Sequence, residues 1–167
     1  KKALAFAAMA CSVAMLLSAC GGSNSNAASG DTAGSNIITA YNSEPQNPLI
    51  PGNTNETGGG KPVDLLFSRL VSFDKDGKAS NEVAESITPN DDATQYTIKI
   101  KSGWKFTDGT PVTAHSFVNA WNYTANSANK QASASFFSTI EGYDDLQKPD
   151  VDPKATLSGL TVVDDNT

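Results

Sequence analysis

Histidine occurs once in these 167 residues, arginine occurs once, and beyond position 20 there is neither a cysteine nor a methionine. Each scarcity removes a class of function. His-assisted nucleophiles and histidine-rich metal sites need convergent partners, and His115 has no second histidine and no later thiol to cluster with. Its expected place is the exposed first turn of a helix. With Arg69 as the lone arginine and a formal charge of −6, there is no basic stripe to displace counterions from phosphates, so no nucleic-acid partner is expected. The two cysteines, Cys11 and Cys20, fall within the first twenty residues, so no disulfide framework holds the rest, which must rest on its core. Residues 3–17 form the longest apolar run, shorter than the roughly 20 residues a bilayer span requires.

The start of the chain has a pattern of its own. Lys1 and Lys2 are the only charges before Asp31. A positive start, a short apolar core and the small residues Ser18 and Ala19 describe a secretory signal peptide over residues 1–19. Leu17-Ser18-Ala19-Cys20, followed by Gly21, resembles the lipobox of bacterial lipoproteins. That resemblance implies cleavage before Cys20 and lipidation of its thiol. Several acyl chains would then anchor the chain, each buried CH₂ contributing about 0.8 kcal/mol. A plain secreted protein with an incidental Cys20 fits the position, the spacing and the polar tract less well. Residues 20–35 then read as a flexible linker of Gly, Ser, Asn and Ala that cannot bury a core. Losing Lys1 and Lys2 with the leader takes the formal charge from −6 to −8.

The remaining residues suffice for one ordinary domain. Residues 36–42 alternate weakly and predict a strand. Residues 43–62, with four prolines and four glycines, predict a long irregular loop, the kind that within a compact domain is usually functional or disordered. Leu66, Leu70 and Phe73 at helical spacing predict a helix over residues 63–73 with an extended end. Asp76-Gly77 between apolar runs signals a hairpin. Tyr96, Ile98 and Ile100 alternate with polar residues, the period-2 pattern of a half-buried strand. Ser102-Gly103 and Asp108-Gly109 turn the chain on either side of a short predicted strand with Trp104 and Phe106 on one face. Thr113 is the expected N-cap of a helix placing Phe117, Ala120, Trp121 and Thr124 on one face. Residues 157–163 predict a further strand; a partner for it does not follow, so the sequence reads as cut off at Thr167.

No catalytic set emerges, and no enzyme is expected. Asp91-Asp92, Asp144-Asp145 and Asp164-Asp165 stand beside turn-forming residues and read as solvated turns rather than as carboxylates facing across a cleft. Asp74, Asp76 and Glu85 fall at calcium-loop positions 1, 3 and 12, but Lys78 at the fifth and Ala79 at the glycine position defeat the match. Residues 57–61 lack phosphate-loop spacing, and Pro62 stands where Ser or Thr is needed. Trp104 and Trp121 read as core. No cofactor and no metal site are expected.

The segment YTIKIKSGWKFTDGTPVTAHSFVNAW resembles the signature region of the oligopeptide-binding lipoproteins, the solute-binding subunits of ABC peptide importers. Trp104, Phe106, Asp108, Gly109, Pro111, Val112, Thr113, Ala114, Phe117 and Trp121 carry it. Asp76-Gly77, Ala84-Glu85-Ser86, Asp91-Asp92 and Tyr96 upstream also fit, as do residues 138–146 and 157–167 downstream. Ile87, Ser116 and the early loop Asn47-Pro48-Leu49-Ile50-Pro51 depart from the pattern.

The resemblance implies an α/β fold, α+β within this portion: the N-terminal part of a two-lobed periplasmic-binding-protein-like fold of the peptide-binding type. Residues 36–71 would begin the first lobe and residues 72–167 would form most of an added β-rich subdomain. The second lobe is missing, so this portion alone is not expected to trap a ligand. The implied function is capture of an oligopeptide, held mainly through its backbone, and delivery to ABC permease subunits by a monomer lipid-anchored on the extracytoplasmic face. Asn55, Glu56, Thr57 and Gly58 are the candidate ligand contacts, since small residues and glycines let backbone approach a ligand's backbone closely. A mobile surface loop is the competing reading of those four. The alternatives in function are the same scaffold binding nickel or another non-peptide solute, and a surface lipoprotein acting as a receptor or adhesin without transport.

Overall fold

Two antiparallel hairpins and two helices make up the regular structure of the computed structural model, which describes residues 39–167. The expected signal peptide, Cys20, the linker and residues 36–38 lie outside the described residues. In chain order the elements are α1 (Thr57–Leu66), β1 (Val71–Phe73), β2 (Ala79–Asn81), β3 (Ala84–Pro89), β4 (Tyr96–Ile100) and α2 (Ala114–Ala125). Short 3-10 turns occupy Pro51–Asn53, Ser127–Asn129, Ala134–Phe137 and Asp144–Gln147. Residues 40–167 form one compact unit.

Hairpin β1–β2 closes where Asp76-Gly77 predicts it, with Gly77 at a φ of 78° and Phe73 paired with Ala79. Asp74 holds the turn, its carboxylate accepting the backbone N–H groups of Asp76 and Lys78, each at 2.9 Å. This settles the region as a hairpin rather than a calcium loop.

Hairpin β3–β4 carries the alternating strand. Ile87 stands opposite Ile98, and Ala84 stands opposite Ile100, with a register shift between Ala84 and Ser86. Glu85 is the extra residue. Bulging it out puts Ala84 and Ile87 on one face although they are three apart, so a methyl rather than a carboxylate meets buried Ile100. Ile100 joins Val83 and Ala114 in a first core, flanked by Leu70, Trp104, Val112, Phe117 and Val162. Asp108-Gly109 turns as expected, Gly109 having a φ of 87°, but the Trp104–Phe106 segment forms only a single bridge, Lys105 to Pro111, rather than a strand.

Helix α2 begins at its expected cap. Thr113 donates its backbone N–H to Ser116 Oγ at 3.1 Å and accepts the Ser116 N–H on its carbonyl at 2.9 Å. Phe117 and Trp121 stack edge to face with centroids 6.3 Å apart, and Thr124 is buried. Ala120, expected on that face, is exposed. His115 is exposed in the first turn, as expected.

Three further expectations fail. Residues 39–42, the described part of the expected first strand, have no strand partner. Helix α1 begins at Thr57 and ends at Leu66, so it lies largely in the stretch expected to be a loop and stops early in the one expected to be helical, whose extended end at Val71–Phe73 is as expected. Three glycines and Pro62 argue against a helix there, at about 1 and 3 kcal/mol per residue. Tertiary bonds offset that cost. The Glu56 carboxylate caps the helix, accepting the Gly59 N–H at 2.9 and 2.8 Å, and Asn42 Nδ2 donates to the Gly58 carbonyl at 2.7 Å. Residues 157–163, expected as a strand, form turn and extended chain with no ladder. Leu157 is buried instead in a second core with Ala125 and Leu146, and its backbone N–H is taken by Asn122 Oδ1 at 2.8 Å.

The second core is organised by the end of α2. Asn126 is completely buried. Its amide donates to the carbonyls of Asp152 and Ala155 at 2.9 and 3.1 Å, and its oxygen accepts the Ala128 N–H at 3.0 Å. One short side chain thereby satisfies three backbone groups of two loops. The chain also returns to the first core, where the carbonyls of Asn166 and Asp165 accept the N–H groups of Ile100 and Ala114, both at 2.8 Å.

Candidate functional site

Glu56, Thr57 and Gly58 meet at the start of α1, with Asn55 just before it. Glu56 does two jobs, capping α1 and accepting the Gln46 backbone N–H at 3.2 Å. Gly58 is buried, and a Cβ there would meet the carbonyl oxygens of Glu44 and Ser43 at 2.7 and 2.9 Å. Its lack of a side chain therefore lets the chain at residues 43–44 lie directly against the helix. Asn55 and Thr57 are exposed. Asn55 Nδ2 donates to the Ala132 carbonyl at 3.3 Å, and Asn53 Oδ1 accepts the Ala132 N–H at 3.2 Å. The four candidate residues are thus brought together on a stretch docked at both ends. This stretch is ordered by its own hydrogen bonds, which sequence reasoning did not anticipate; the signal for it was Asn42, sixteen residues before Gly58.

Two hollows lie elsewhere. One, of about 410 Å³, is an open curl of residues 138–145. Its Asp145 carboxylate accepts from Lys148 Nζ at 2.6 Å, and that hydrogen bond, with the charge behind it, raises the lysine pKa. The other, of about 110 Å³, lies between β4 and α2 and is lined by Tyr96, Ile98, Phe117, Trp121, Leu160 and neighbours. Neither is lined by Asn55, Glu56, Thr57 or Gly58.

The Asp pairs sit in turns. Asp92 accepts from the Thr94 hydroxyl at 2.7 Å, and Asp108 accepts from the hydroxyl and N–H of Thr110 at 2.7 and 2.9 Å. In both, the hydroxyl hydrogen bond is the main cause of a lowered carboxyl pKa, and the backbone N–H adds to it. Both carboxylates are solvent-exposed turn formers. Asp144 and Asp145 begin a 3-10 turn. Among the described residues no group of three metal-ligating side chains converges, and no helix is long and apolar enough to cross a membrane.

Comparison with known proteins places this scaffold among extracellular solute-binding proteins. The family model described as bacterial extracellular solute-binding proteins, family 5 Middle, matches residues 78–167. The chain belongs to that family. It is 30% identical over 132 residues to the oligopeptide-binding protein OppA of Bacillus subtilis, covering 77% of this chain and 24% of the relative. Its structure resembles the crystal structure of Haemophilus influenzae OppA in complex with RPPGFSPFR, with a TM-score of 0.67, 30% identity, and coverage of 74% of this chain and 24% of that one. The Escherichia coli murein tripeptide binding protein MppA gives a TM-score of 0.67 at 26% identity, covering 75% and 24%. The chain spans about a quarter of the length of these relatives. The fold is accordingly part of the peptide-binding type of solute-binding protein, and proteins of this family work outside the cytoplasm.

Proposed function

We propose that the full-length protein carrying this chain captures oligopeptides outside the cytoplasm and delivers them to the permease of an ABC importer. The family match over residues 78–167, joined to a fold shared with a peptide-bound relative, carries the reading. In this reading residues 36–71 start the first lobe and residues 72–167 form the added subdomain. The ligand lies between lobes, and Asn55, Glu56, Thr57 and Gly58 contribute contacts from the first. Cys20 carries the lipid anchor, which raises the receptor's concentration beside its permease. The receptor acts as a monomer.

Calorimetry of the full-length protein with a mixed peptide library tests the capture. Expected is saturable binding that Asn55→Ala weakens several-fold while leaving the unfolding midpoint in place, since Asn55 is exposed and makes one long hydrogen bond. Unchanged affinity would remove this stretch from the site, and absence of binding to any peptide would overturn the ligand class. Cys20→Ser should move the protein from the detergent phase to the aqueous phase. Continued partitioning into detergent would refute the anchor.

A further inference from the structure

We draw no further inference here: the strongest candidate, the small apolar cleft between β4 and α2 lined by Tyr96, Ile98, Phe117 and Trp121, carries nothing because nothing in the structure shows what covers it.

Discussion

Asn42 donates its side-chain amide to the carbonyl of Gly58 at 2.7 Å, and Gly58 is the residue four before Pro62. In a regular helix that carbonyl would accept the N–H of residue 62, which proline lacks. The asparagine therefore supplies the hydrogen bond that the proline removes. At the same time it fastens residues 42–46 to the helix, a fastening that Glu56 and Gln46 repeat one turn away.

This relationship predicts a strong coupling. Asn42→Ala should cost about 1–3 kcal/mol, the penalty for leaving a buried carbonyl unpaired. In a Pro62→Ala background the new N–H takes that carbonyl, and Asn42→Ala should cost under about 1 kcal/mol. Urea unfolding followed by the fluorescence of Trp104 and Trp121 reads both. Equal costs in the two backgrounds would show that the amide does not replace the helix bond.

Ile98 and Ile100 share the face of β4 that the bulge at Glu85 sets opposite Ile87 and Ala84, but they are unequally covered. Ile100 is 3% exposed and packs in the first core, whereas Ile98 is only half-buried. Ile100→Ala should therefore cost about 2–5 kcal/mol and Ile98→Ala distinctly less. The reverse order in the same unfolding assay would mean that Ile98 rather than Ile100 anchors the first core.

Asn126 is a test of the second core. Asn126→Ala strips partners from two carbonyls and one N–H, at about 1–3 kcal/mol for each group left unsatisfied. Asn126→Asp should be worse still at neutral pH, since an ionised carboxylate there faces two carbonyls and has no proton to donate. Burial raises the folded pKa of such a group. The stability of this variant should be highest below the unfolded carboxyl value of about 3.9 and fall as pH rises through the folded one. A pH-independent deficit relative to the parent chain would contradict this.

Asp108 gives the opposite sign. Its pKa is lowered, first by the Thr110 hydroxyl and then by the Thr110 N–H, so its contribution is present above about pH 4 and lost as pH falls through the depressed value. Thr110→Val removes the larger cause and should raise the Asp108 pKa toward about 3.9, as followed by the carboxyl carbon shift in NMR. The same substitution at Thr94 should move Asp92 and leave Asp108 alone. No movement of Asp108 in Thr110→Val would refute the assignment of the shift to the hydroxyl.

The sequence is most readable where local signals and tertiary structure agree. Tyr96, Ile98 and Ile100 alternate, Asp76-Gly77 and Asp108-Gly109 turn, and Thr113 caps, each by chemistry confined to a few neighbouring residues. Helix α1 is illegible because Gly58, Gly59, Gly60 and Pro62 disfavour it locally, and the compensating bonds come from Asn42 and Glu56. Leu157 misleads in the other sense. Its apolar neighbours suggest a strand, but its backbone N–H is satisfied by Asn122, thirty-five residues earlier, and no ladder is needed. Of the candidate site, the close approach expected at Gly58 was that of a ligand, whereas the backbone lying against it is the chain's own, at residues 43–44. That Gly58 is needed for the approach of residues 43–44 was not legible, because proximity of those two segments is a tertiary fact.

The central proposal is that the full-length protein carrying this chain is a receptor for peptides. Native mass spectrometry of the full-length protein, purified gently from its native source, tests it most directly. The account predicts a protein that carries a mixture of co-purifying peptide masses, released on unfolding. A single non-peptide mass released instead would contradict it, leaving the family membership intact and the ligand class wrong.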